Sequence, residues 1–116
     1  DDVVGFCRQQ EPALIESVGG VMSPLTTTET NLTWLEKLGC PSILVTGNYL
    51  GALSHTLTAL AVLPQASCLS VIVAEVSEAV SLTETVRLIQ GFTRVPVYAL
   101  PRRAEASWDW LDAKTA

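Results

Sequence analysis

Positive charge is scarce in this chain. Its 116 residues carry 7 Lys and Arg against 12 Asp and Glu, a net charge of −5. The only adjacent basic residues are Arg102 and Arg103, so no surface suited to a nucleic-acid backbone is expected. Long apolar runs are also missing. Runs such as "ALAVLP" at 59–64 are far too short to span a bilayer, and the acidic opening "DDVVGF" lacks the basic start of a secretory signal. Cys7, Cys40 and Cys68 are odd in number, widely spaced and without a C-x-x-C. They read as reduced thiols of a cytoplasmic protein, packed as small core residues. His55 is the sole histidine, too little for a zinc set. There is no G-x-S-x-G nucleophile elbow. There is also no G-x-x-x-x-G-K-[ST] phosphate loop, because neither lysine, Lys37 or Lys114, follows a glycine loop.

What remains is apolar and regularly punctuated. Hydrophobic residues make up 48% and charged residues 16%, which suits one ordered domain over 1–116. Four short apolar runs read as buried strands: "ALIES" (13–17), "SILVTG" (42–47), "LSVIVAEV" (69–76) and "VPVYALP" (95–101). Helical patterns alternate with them. Residues 28–39 open on Thr28 as a candidate N-cap, place Leu32, Leu35 and Leu38 on one stripe, and stop at Gly39 before Pro41. Residues 50–64 are apolar on nearly every side, as a helix buried either in its own domain or against another subunit would be. Residues 81–92 carry Ser81 and Glu84 at capping-box spacing and end at Gly91. The first ten residues, and "AEASWDWLDA" near the end, suggest two more helices. Alternation of this kind predicts an α/β fold, a parallel sheet with flanking helices and a site beyond the strands' carboxyl ends.

Each such end carries distinctive residues. Glu16-Ser17-Val18-Gly19-Gly20 is either a tight glycine turn or a carboxylate beside bare backbone that holds Mg²⁺ and a phosphate. Residues 47–51 lead into a long helix, either as a flexible connection or as a start whose N–H groups receive an anion. His55, inside that helix, reads as a packed or hydrogen-bonded residue. Glu75 and Glu78 fit a solvated acidic loop, and Pro101-Arg102-Arg103 fit either a surface basic pair or a nucleotide contact.

Taken together, "ESVGGVMSPL" and, further on, "LGALSH" resemble the ATP-dependent dethiobiotin synthases, whose pattern is E-G-x-G-G-x-x-x-P-L followed by a strand and L-G-x-x-N/S-H. The match is close over 13–60 and weaker to about 103. The resemblance implies a P-loop NTPase-like, Rossmann-like three-layer fold. It also implies a ligase of biotin synthesis that closes a cyclic urea from 7,8-diaminopelargonate and CO₂ with ATP and Mg²⁺.

By that resemblance Glu16 accompanies Mg²⁺ and ATP. Ser17, Val18 and Gly19 lie near the γ-phosphate, and Pro101, Arg102 and Arg103 lie near the adenine. Gly51, Ala52, Leu53 and Ser54 receive the substrate carboxylate in a homodimer whose neighbouring subunit completes the site. The family often has Asn at the end of the third strand, where this chain has Ala74-Glu75, so Glu75 or backbone is left to contact the nucleotide. Because the phosphate loop is not in these residues, the chain is expected to be the C-terminal half of such an enzyme. It would then be incomplete and inactive without the N-terminal half. Two other readings remain: a related amidoligase of cobalamin synthesis, and a regulatory or interaction domain without a phosphate loop.

Overall fold

The computed structural model describes residues 2–11 and 14–102. Its elements follow the order α1 (Asp2–Arg8), α2 (Asn31–Leu38), β1 (Ser42–Gly47), α3 (Ala52–Val62), β2 (Cys68–Ala74), α4 (Leu82–Gln90) and β3 (Val97–Leu100). The three strands form one parallel sheet in the order β1-β2-β3. Ile43 pairs with Ser70, Thr46 with Val73, and Ala74 with Leu100, so the three carboxyl ends are level.

Side chains alternate across a sheet, and here the two faces have different fates. Leu44, Val71, Val73 and Val97 face the helices and meet Leu60, Leu63 and Ile89 in the core. Val71, Val73 and Ile89 are fully buried, each contributing about 1.5–3 kcal/mol by removal from water. Thr46 also faces this side, and its hydroxyl meets that of Thr56 on α3 at 2.8 Å. On the opposite face of β1, Ile43 and Val45 are 50% and 64% exposed.

The helix boundaries have local causes. The N-cap of α2 is Thr30, two residues past the expected Thr28. Thr30 and Thr33 exchange side-chain-to-backbone bonds in a capping box. Thr28 instead lies in a turn whose Thr28 and Glu29 amides donate to the Thr26 hydroxyl. Gly39 ends α2 at φ 64°, as its position predicted. Ser81 caps α4 by accepting from the Glu84 amide, but the Glu84 carboxylate turns to Arg87 and does not close a box.

The expected strand at 13–17 is not formed. Residues 14–17 have no regular structure, and Leu14 is 97% exposed. An apolar run becomes a strand only where a neighbour supplies the other half of its ladder. Among the described residues none does so, and β1 keeps an unpaired edge. The expected last helix lies outside the described residues.

Candidate active site: four loops and two asparagines

The first loop is folded around one side chain. The Nδ2 of Asn31, the first residue of α2, donates to the carbonyls of Val18 and Gly20, both at 2.8 Å. Its Oδ1 accepts the Ser17 hydroxyl. The backbone joins in: Asn31 N–H donates to Ser23 O at 3.1 Å, and Leu32 N–H to Val21 O at 2.9 Å. The first-turn amides of α2 are thus consumed by the loop. Gly19 sits at φ 79°, and a Cβ there would lie 2.4 Å from Ser23 Oγ, which accepts Gly20 N–H at 2.8 Å. The glycine-turn reading therefore holds at Gly19, and the backbone beside it is open. The amides of Val18 and Gly19 have no acceptor among the described residues, and Val18 is 83% exposed. Glu16 is exposed, with no partner for its carboxylate among the described residues.

The other three loops meet at the carboxyl ends of the strands. Asn48, fully buried just past β1, holds the segment after β2. Its Nδ2 donates to Ser77 O at 2.8 Å and Val80 O at 2.6 Å, while its Oδ1 accepts Val76 N–H at 2.7 Å and Ser77 N–H at 3.2 Å. Beside it, a Cβ on Gly47 would stand 2.8 Å from Val76. Glu75 in turn reaches the segment after β3, its Oε2 accepting Arg102 N–H at 2.8 Å.

Gly51 opens α3 at φ 91° without a side-chain cap, and Ala52 N–H returns to Tyr49 O. That leaves the Leu53 and Ser54 amides without an acceptor among the described residues, the arrangement a bound anion satisfies. Tyr49 Oη lies 2.8 Å from His55 Nδ1, so His55 is a hydrogen-bonded residue as expected.

The structure thus brings Glu75 to Arg102 and sets Gly51, Ala52, Leu53 and Ser54 at one helix start. Among the described residues no hydrogen bond joins the first loop to the other three. Pro101 and Arg102 are exposed, and Arg103 lies outside the described residues. Asn31 and Asn48 were not anticipated. The available hints were an Asn inside the cap cluster "TETN" and an Asn directly after a strand. Among the described residues no cluster of His, Cys, Asp or Glu could hold a metal by itself, and no helix is long and apolar enough to cross a membrane.

A parallel sheet, flanking helices and loops gathered at the strand ends define an α/β domain of the P-loop NTPase class. The chain belongs to the family described as an AAA domain, which matches residues 6–108. Its relatives are specific. It is 48% identical over 100 residues to the ATP-dependent dethiobiotin synthetase BioD of Phenylobacterium zucineum, covering 82% of this chain and 43% of that protein. It is 40% identical over 118 aligned positions to the enzyme of the same name from Caulobacter vibrioides, covering 94% and 53%. The resemblance read from residues 13–60 is borne out. The chain spans about half the length of the curated relatives it matches. No solved structure matches it.

Proposed function

We propose that these residues form the C-terminal half of an ATP-dependent dethiobiotin synthetase of the cytoplasm. Its substrates would be 7,8-diaminopelargonate, CO₂ and ATP. The observation that supports this most is the 48% identity to a dethiobiotin synthetase over 82% of the chain. In this reading one amine of the substrate takes up CO₂ as a carbamate, ATP phosphorylates it, and the second amine closes the cyclic urea as phosphate leaves. Such chemistry needs positioning and charge neutralisation more than covalent help.

The residues present fit those needs in part. The Val18 and Gly19 amides are available to the γ-phosphate, and the Leu53 and Ser54 amides to the substrate carboxylate, with Gly51 and Ala52 shaping that turn. Glu75, Pro101 and Arg102 would line the nucleotide, Arg103 beside them. Magnesium takes few protein ligands when it also binds phosphates and water. One exposed carboxylate, Glu16, suits it, and the ion would neutralise charge on the transferring phosphoryl group. A homodimer would use the exposed side of α3, which includes Ser54 and Ala61.

The test is phosphate release by the complete reading frame with diaminopelargonate, bicarbonate, Mg²⁺ and ATP. Diaminopelargonate-dependent release is expected, and Glu16→Gln should lower it at least about tenfold. Release that does not depend on the diamino acid would sink the proposal.

A further inference from the structure

We infer that Asn31 is a positioning residue for phosphoryl transfer, acting through the first loop. This rests on the functional reading above and extends it to a side chain that none of the site expectations included. The argument begins with peptide geometry. In a trans peptide the C=O and the next N–H point in opposite directions. Asn31 Nδ2 draws the Val18 carbonyl to itself at 2.8 Å, so the Gly19 N–H of that peptide is turned away from α2. It draws the Gly20 carbonyl equally, which turns the Val21 N–H outward as well. The intervening Gly20 N–H is bound to Ser23 Oγ and is out of play. Neither Gly19 N–H nor Val21 N–H has an acceptor among the described residues.

One amide side chain therefore fixes two peptides of the loop, with the Val18 and Gly20 carbonyls toward α2 and the Gly19 and Val21 N–H groups away from it, shortly after Glu16. The orientation of the amide group is fixed by its surroundings. Two carbonyls on one side and the Ser17 hydroxyl on the other admit only nitrogen toward the carbonyls. A loop whose carbonyls faced outward would repel a phosphate, so the conformation Asn31 imposes is the one a phosphoryl group requires.

Two substitutions separate this role from plain stability. Asn31→Asp keeps the Oδ1 that meets Ser17 and places an acid in the first turn of α2, where it favours the helix. It loses the donor to both carbonyls. Asn31→Ala adds no charge and has high helix propensity. In the complete enzyme both should still unfold cooperatively, within roughly 5 °C of the wild-type midpoint, because the bonds lost are solvent-exposed. Both should lower kcat by about tenfold or more while KM for diaminopelargonate stays within about twofold. In combination with Glu16→Gln, Asn31→Ala should add much less than its single effect, because both act on one loop. Wild-type kcat in Asn31→Ala overturns the role of Asn31 while leaving the functional reading in place. No diamine-dependent turnover in the unmutated enzyme overturns the functional reading and this role together.

Discussion

The carboxylate of Glu75 accepts the backbone N–H of Arg102 at 2.8 Å, tying the end of β2 to the end of β3. Just before it, Glu75 N–H donates to Leu100 O, so the ladder runs on into a side-chain clasp. Glu75 thus shapes the fourth loop from within, and any contact it makes with a nucleotide shares a carboxylate already in use. Glu75→Ala should raise KM for ATP by about fivefold, the equivalent of one lost hydrogen bond of ~1 kcal/mol. Glu75→Gln, which retains an acceptor oxygen, should lie nearer wild type. Steady-state kinetics on both variants decide it: equal KM values in Glu75→Ala and wild type would remove the clasp from nucleotide binding.

Asn48 is the stronger structural residue. It satisfies four backbone groups from a site with no solvent exposure. Truncation to Ala leaves buried donors and acceptors unpaired, and Asn48→Ala should lose about 2–4 kcal/mol in urea unfolding. Asn48→Asp should lose at least as much, since it removes both donors and buries a charge.

Gly19 tests the turn. An Ala there meets Ser23 Oγ at 2.4 Å and Ser23 Cβ at 2.9 Å, on top of a left-handed backbone at φ 79°. Gly19→Ala should cost about 1–2 kcal/mol from backbone conformation alone and should reduce turnover further. Adding Ser23→Ala should not restore activity, because the Cβ contact and the backbone strain persist. Full recovery in that double variant would show that the hydroxyl clash was the whole problem.

Acid should weaken the fold through two surface carboxylates. The hydrogen bond to Lys37, reinforced by Trp34 Nε1, holds Glu29 below its ordinary value of 4.5. The hydrogen bond to Arg87 lowers Glu84 in the same way. A depressed folded pKa means the native state binds fewer protons than the unfolded chain. The contribution is complete above pH 4.5 and is lost as pH falls through the lower folded values. Both pairs lie at the surface, so the effect is small and salt-sensitive. In a pH series of thermal midpoints, Glu29→Gln should flatten the decline below that point, and high salt should do the same to the parent.

Much of the frame was legible in the sequence. The three strands and the helices between them could be read because their apolar spacing is local and their stops, Gly39 and Ser81 among them, act within one turn. Residues 13–17 misled because a strand is a property of a pair, and among the described residues that run has no partner. Among the candidate loops, Glu16 to Gly19 and the start of α3 stood out through glycine placement. Asn31 and Asn48 did not, because each works across distance. Asn31 binds carbonyls 11 and 13 positions back, and Asn48 binds groups 28 to 32 positions ahead. Nothing in their immediate neighbours states that need.

The edge of β1 has a consequence for isotope exchange. Peptide groups along a strand point alternately to either side, and among the described residues only the β2 side of β1 is occupied. Roughly every second amide between Ser42 and Gly47 should therefore take up deuterium from water quickly, while the amides of β2 from Val71 to Ala74, where the strand is paired on both flanks, should hold their protons longest. A strand laid against that edge, as the proposed N-terminal half would supply, would slow the fast set and leave the slow set unchanged. The alternation along six residues is a built-in gauge of when the sheet is complete.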